Sequence, residues 1–78
     1  MSASKEINGG QIKSLTTRFY YKKKQLCFQI ILNMGFGKKI PYQEFEDYYD
    51  YRRKFNQLQK AKDEHKPILI SSYALQHA

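Results

Sequence analysis

The chain has 78 residues and a formal net charge of +7, so it forms one small domain close to the lower size limit for a stable core. It contains no run near the roughly 20 apolar residues of a membrane-spanning helix, and residues 1–11 lack the apolar segment of a secretory signal. Its single cysteine, Cys27, excludes an internal disulfide, so we expect a reducing, cytoplasmic location.

The positive charge is concentrated in the first half of the chain. Residues 1–40 contain eight basic side chains against one acidic one, a net charge of +7, whereas residues 41–78 contain six of each. Such an imbalance favours a polyanionic partner, either nucleic acid or an acidic protein surface. A membrane surface is disfavoured, because the basic residues fall among predicted strands and not opposite an apolar helix face.

The N-terminal residues are small and polar. Residues 1–11 include Gly9 and Gly10, and their composition is typical of a segment that packs no core. We therefore expect a flexible N-terminal tail over residues 1–11 and a single small domain over residues 12–78.

Residues 15–32 have two competing periodicities. A helix would place Leu15, Phe19 and Leu26 near one stripe, but lysines would interrupt it. As strands, the segments on both sides of the lysines alternate well and are rich in Thr, Tyr, Phe and Ile. The pattern predicts two antiparallel strands. Residues 22–25 between them contain no Gly, Asn or Asp, so the favoured two-residue turns are not signalled, and a longer or bulged connection is an alternative.

The second corner has clearer turn signals. Asn33, Gly35 and Gly37 tolerate positive φ angles, so the sequence predicts a turn and then a short third strand over residues 36–40. The stretch GFGKK lacks the spacing of a nucleotide-binding phosphate loop. Its glycines would nevertheless let exposed lysines approach a phosphate backbone.

A long amphipathic helix is predicted after Pro41, whose missing N–H suits a first helical turn. Residues 42–64 contain no Gly or Pro, and apolar side chains recur at spacings of three and four. The helix should end before Pro67. Residues 68–75 are then expected to form a last strand, with a short terminal helix as the alternative.

These elements predict an α+β fold of order β-β-(β)-α-β, a small antiparallel sheet with one long amphipathic helix packed on one face. The alternative is an all-α helical hairpin. The segment FQIILNMGFGKKI followed by an amphipathic helix resembles, in layout, the AP2-type and recombinase arm-binding domains, which read the DNA major groove with their sheets. The resemblance covers about half the chain and implies a fold and a class of partner, but no site residue.

Catalytic and metal-binding signatures are missing from the sequence. Cys27, His65 and His77 lack the short paired spacings of metal ligands. The four carboxylates between Glu44 and Asp50 match the dipole of the predicted helix, since they fall in its N-terminal half. We therefore expect no enzymatic activity, no metal and no cofactor.

The second face of the predicted sheet is the candidate binding site. If Phe19 and Phe28 point toward the helix, the other face presents cationic, aromatic and amide groups, which contact phosphates and bases in nucleic acids. The expected function is nucleic-acid binding, with DNA favoured over RNA. The predicted nucleic-acid-binding residues are Arg18, Tyr20, Lys22, Lys23, Lys24, Gln29, Lys38 and Lys39.

A competing hypothesis is a protein-binding inhibitor or adaptor of the kind that viruses, phages and mobile elements encode. The predicted helix has more tyrosines than one stripe buries, and Tyr and Arg are enriched at binding hot spots. The partner would be an acidic protein surface, and homodimerisation stays open for so short a chain. The predicted interface residues are Tyr42, Tyr49, Arg52 and Arg53.

Overall fold

The chain folds into two small sheets and one α-helix. A computed structural model describes residues 5–71. Within them, the elements in chain order are β1 (Lys5–Asn8), a 3-10 turn (Gly9–Gln11), β2 (Ser14–Lys22), β3 (Gln25–Gly35), β4 (Lys38–Phe45), α1 (Tyr48–Asp63) and β5 (Pro67–Ile70). The predicted α+β class is confirmed, and the alternative of a helical hairpin is wrong.

The larger sheet is an antiparallel meander in the order β2-β3-β4. Phe28 lies opposite both Phe19 and Phe45, and directly opposite residues share a face of the sheet. On this inner face Ile30 and Leu32 are fully buried. Burial of each such side chain stabilises the fold by about 1.5–3 kcal/mol. The prediction that residues 15–32 form two strands is confirmed.

The helix α1 covers the inner face through aromatic contacts with β3 and β4. The Tyr51 ring stacks on Phe28 with centroids 5.1 Å apart, and its hydroxyl oxygen lies 2.6 Å from Thr17 Oγ1. The smaller sheet, β1 paired with β5, adds Ile68 and Ile70 to the same core. The helix and both sheets therefore share one hydrophobic core.

The helix begins six residues later than the sequence predicts. Asp47 is its N-cap and accepts a hydrogen bond from the Asp50 N–H at 2.9 Å. Pro41 lies inside β4, opposite Ile31. A proline is tolerated there because β4 is an edge strand and the register shifts between Ile30 and Ile31. The predicted helix start is therefore wrong, and the third strand is longer than expected.

The segment predicted to be a flexible tail is folded over residues 5–11. β1 pairs with β5, and the Gly9 N–H donates to the Lys66 carbonyl at 2.8 Å. A Cβ atom on Gly9 would lie 2.4 Å from the Ala61 carbonyl oxygen, so only glycine fits against this helix end. The tail prediction is wrong here because the stabilising partners are distant in sequence. Residues 1–4 lie outside the described residues.

The helix ends before Pro67, as predicted. His65 occupies the left-handed position of a Schellman motif, with a φ of 57° and its N–H 3.3 Å from the Lys62 carbonyl. Pro67 then opens β5, which ends at Ile70. Of the predicted last strand, residues 72–75 lie outside the described residues.

Candidate nucleic-acid interface

The predicted binding face is the side of the β2-β3-β4 sheet turned away from α1, which we call the outer face. The register places on it Arg18, Tyr20 and Lys22 from β2, Gln25, Cys27 and Gln29 from β3, and Lys39 and Glu44 from β4. Five of the predicted binding residues therefore share one face. Lys23, Lys24 and Lys38 lie in or beside the hairpin turns at its two ends.

An acidic side chain, Glu44 of the edge strand β4, lies on the outer face. The Tyr20 hydroxyl donates a hydrogen bond to the Glu44 carboxylate, and the Lys22 Nζ lies 3.7 Å from the same carboxylate. The Arg18 guanidinium carbon is 5.5 Å from the Tyr20 ring centroid, a cation–π geometry. Glu44 therefore neutralises part of the positive charge expected here. Sequence analysis assigned Glu44 to the helix; the signal that it precedes the helix is the N-cap residue Asp47.

Two residues of the outer face are buried. Cys27 is 0% exposed and Gln29 is 9% exposed, so Gln29 does not present its amide to a base edge as predicted. Burial raises the pKa of the Cys27 thiol, and the Glu44 and Glu46 carboxylates raise it further against an opposing effect of Lys22. Because the thiolate is the reactive form, this cysteine is a weak nucleophile at neutral pH.

The turn between β2 and β3 consists of Lys23 and Lys24, and we call it the lysine turn. Lys22 pairs with Gln25 across it, and the two central residues have φ angles of 53° and 65°. Positive φ at both positions is the mark of a type I′ turn, which favours Asn and Gly. The connection is therefore a two-residue turn and not the longer alternative, because nine consecutive residue pairs fix the register of β2 and β3 and override the local turn preference.

Acidic groups lie beside the lysine turn. Glu44 contacts Lys22 at 3.7 Å. The Gln25 Nε2 donates to the Glu46 carbonyl at 3.5 Å, which holds the end of β4 close to this corner. The positive charge of this corner is therefore partly balanced by acids that follow it by about 20 residues in the sequence.

The turn between β3 and β4 consists of Phe36 and Gly37, and we call it the phenylalanine turn. Gly35 pairs with Lys38 across it, and the two central residues have φ angles of 56° and 75°. It is therefore a second type I′ turn, here with glycine at its second position. Phe36 has a relative exposure of 106%, so its ring protrudes into solvent at the tip.

Several lysines lie at the same end of the sheet as the phenylalanine turn. Lys38 lines a groove with Lys5 and Glu6, and Lys39 lies on the outer face opposite Asn33. The aliphatic chain of Lys13 lies 3.2–3.8 Å from the position that a Cβ on residue 35 would take. Lys5, Lys13, Lys38 and Lys39 therefore lie at this end of the sheet, together with the Glu6 carboxylate.

The residues predicted for a protein interface separate into two groups. Tyr49, Arg52 and Arg53 are exposed on α1. Tyr42 is 8% exposed, so it belongs to the core and not to a surface. The predicted helix wrongly included Tyr42, which lies in β4 beside the register shift.

Sequence analysis missed an exposed aromatic surface beside the helix. Phe19, Tyr21, Tyr48 and Tyr49 are largely exposed. The Phe19 ring meets Phe28 edge-on at 5.6 Å, and the Tyr48 ring meets Tyr49 at 5.8 Å. This surface exists because α1 packs on β3 and β4 and leaves the inner side of the edge strand β2 partly uncovered.

Among residues 5–71, no three His, Cys, Asp or Glu side chains are grouped so that they could hold a metal ion. No helix in that range has the length and apolar character needed to cross a membrane. Comparison of the chain with protein-family models, with curated proteins and with solved structures gave no match.

Proposed function

We propose that the protein binds nucleic acid, DNA in preference to RNA, through phosphate contacts made by its hairpin-turn lysines and by Arg18. The observation that carries this proposal is the chemistry of the two type I′ turns. Three of their four central positions hold Lys, Lys and Phe instead of the favoured Asn and Gly. A non-glycine residue in this conformation costs about 1–2 kcal/mol. Strain kept at exposed positions indicates a role in function.

The spacing of the turns fits a DNA duplex. β3 has 11 residues and separates the two turns. At about 3.3 Å per residue, they lie roughly 36 Å apart. One turn of B-DNA spans about 34–36 Å. Lysines at the two ends of the sheet are therefore spaced to reach phosphates about one helical turn apart on one side of a duplex. The resemblance of the sequence layout to AP2-type and recombinase arm-binding domains also favours DNA over RNA.

Fluorescence polarisation with a labelled duplex of about 30 base pairs tests the proposal. With about six phosphate contacts, the logarithm of the association constant should fall with log salt concentration at a slope near −5. RNA duplex of the same sequence should bind more weakly. Failure to bind any nucleic acid in about 50 mM salt would refute the proposal.

Matched charge variants separate specific phosphate contacts from general electrostatics. Lys23→Gln/Lys24→Gln and Lys38→Gln/Lys39→Gln each remove two charges at a turn, and Lys54→Gln/Lys60→Gln removes two charges from α1. Both turn variants should bind the duplex more weakly than wild type, whereas the α1 variant should stay within about twofold of it. Equal losses in all three variants would contradict the assigned surface.

The exposed aromatic surface supports a second candidate function, the binding of a protein. We propose Phe19, Tyr21, Tyr48 and Tyr49 as the anchors, because exposed aromatic rings form binding hot spots. Tyr49→Ala with Tyr21→Ala should abolish co-purification of a partner that survives nuclease and high salt. The same pair of changes tests self-association in sedimentation-velocity runs. Retention of the partner or of the dimer by this variant would reject the surface.

A further inference from the structure

The phenylalanine turn carries an aromatic ring that is not buried in the core of the fold. Phe36 is fully exposed, and its φ of 56° is unusual for a bulky residue. An Asn or Gly would form the same turn without the steric conflict. At Gly37, no atom lies within 4 Å of the position that a Cβ atom would take, so the tip is open on that side. The ring is free to meet a ligand.

The surroundings of Phe36 indicate what kind of ligand. Lys38 and Lys39 follow it in the chain, and Lys5 and Lys13 lie at the same end of the sheet. A protruding ring among cations is the combination used for single-stranded nucleic acids, in which lysines hold phosphates and aromatic side chains stack on bases.

A membrane is a poorer fit for the same tip. Insertion into lipid requires a continuous apolar face. The other large exposed apolar side chains among the described residues lie on β2, α1 and β5 and not in this turn. One ring bordered by lysines offers little apolar area for a bilayer but a complete contact for one base.

We propose that Phe36 stacks on a nucleobase whose face is accessible, while the neighbouring lysines hold the adjoining phosphates. The proposal rests on the nucleic-acid binding proposed above and adds a preference for unpaired bases. A base face becomes accessible in a single strand or a gap, or when a base step of a duplex is opened by an inserted ring. The substrate comparison below distinguishes these sources.

The first experiment compares Phe36 variants on three DNA substrates: single-stranded, gapped duplex and fully paired duplex. Phe36→Ala and Phe36→Leu should lose roughly 5- to 150-fold in affinity for substrates with unpaired bases. Phe36→Tyr should bind like wild type, because it keeps the aromatic face. Leucine is the matched control, since it keeps apolar character without a ring. An equal loss on the fully paired duplex would overturn the preference for unpaired bases and would assign the contact to an opened base step.

Two failures can be told apart in this experiment. If wild type binds none of the substrates, nucleic-acid binding itself is wrong. If wild type binds and both Phe36→Ala and Phe36→Leu bind every substrate equally well, only the stacking contact is wrong. Phe36 is fully exposed, so loss of folding does not confuse the result; circular dichroism of each variant verifies this.

The second experiment uses fluorescence, because the chain contains no tryptophan. Phe36→Trp creates a single reporter at the tip, and Tyr49→Trp creates a control on α1. Single-stranded or gapped DNA should quench the reporter at position 36 and leave the one at position 49 almost unchanged. Unchanged emission at position 36 in saturated complexes would overturn the proposal. A blue shift with anionic vesicles but no quenching by DNA would also overturn it, in favour of a lipid partner.

Discussion

The two hairpin turns of the sheet have the same backbone conformation and different surroundings. Both are type I′ turns with positive φ at each central residue. The lysine turn lies beside Glu44 and the end of β4, whereas the phenylalanine turn lies at the end of the sheet that holds Lys5, Lys13 and Lys39 with one acid, Glu6. The first corner has three consecutive lysines and the second has two, but an ion pair with Glu44 offsets part of the charge of the first. The difference makes the phenylalanine turn the stronger candidate for holding a polyanion.

The two turns also differ in backbone strain. The lysine turn has no glycine, and the phenylalanine turn has Gly37 at its second central position. Each non-glycine residue in the left-handed region costs about 1–2 kcal/mol. The lysine turn therefore carries about twice the strain of the phenylalanine turn.

Charge reversal should give the largest difference in DNA affinity between variants of the two turns. Lys38→Glu/Lys39→Glu is expected to weaken duplex binding more than 100-fold in about 0.1 M salt, because two phosphate contacts are lost and repulsion is added. Lys23→Glu/Lys24→Glu should weaken binding by only about 10- to 30-fold, since nearby acids already reduce its contribution. Polarisation titrations at fixed salt measure both. The reverse order would mean that the acids beside the lysine turn do not screen it.

Relief of backbone strain should raise the stability of the protein more at the lysine turn than at the phenylalanine turn. Lys23→Asn/Lys24→Gly is expected to raise the free energy of unfolding by about 2 kcal/mol, and Phe36→Asn by about 1 kcal/mol. Urea unfolding with unchanged m-values measures the gain. Lys23→Gln/Lys24→Gln is the control, because it removes the same charges but keeps the strained turn. An equal gain in that control would show that charge repulsion and not backbone conformation limits stability.

Removal of the acidic side chain Glu44 from the outer face should make the contributions of the two turns to DNA affinity more nearly equal. Glu44→Gln is expected to raise DNA affinity about 3- to 10-fold, because it frees Lys22 and removes repulsion of phosphate. Stability should change by less than about 1 kcal/mol, since the Lys22–Glu44 ion pair is partly exposed. In the Glu44→Gln background, Lys23→Glu/Lys24→Glu should then cost more affinity than in wild type. An unchanged affinity of the Glu44→Gln variant would show that Glu44 does not weaken DNA binding.

High pH should have the smallest of these effects. It should lower stability through Cys27, which lies near the lysine turn, and Tyr42, which lies in β4. The folded-state pKa values of Cys27 and Tyr42 are raised, chiefly by burial. Both groups are held neutral in the fold, so their contribution is complete below the unfolded pKa values and is lost as pH rises beyond about 9 to 10. Melting temperatures should therefore fall between pH 9 and 11, and less steeply in Tyr42→Phe. A flat profile would contradict the burial of these groups.

Much of the sheet can be predicted from the sequence. The alternation of β2 and β3 and the β-branched and aromatic residues in them identify two strands, because periodicity reports directly on which face is buried. Asn33, Gly35 and Gly37 identify the second turn for the same local reason. The two-residue lysine turn was not predicted, since long strand pairing and not local preference fixes it.

The boundary between β4 and α1 was harder to predict. Pro41 suits either a first helical turn or an edge strand; the N-cap residue Asp47 is the local signal for the later helix start, and the register shift near Tyr42 accommodates Pro41 in the strand. That choice also moved Glu44 from the helix to the outer face and Tyr42 from a surface to the core. Residues 5–11 are held in place by contacts with β5 and with the end of α1. No local sequence pattern reveals those contacts.

The salt dependence of duplex binding is a direct test of whether the clustered lysines at the ends of the sheet contact phosphates. Wild type should show a slope of log association constant against log salt near −5, and Lys38→Gln/Lys39→Gln should reduce its magnitude by about 2. An unchanged slope in that variant, or no binding by wild type at about 50 mM salt, would contradict the account.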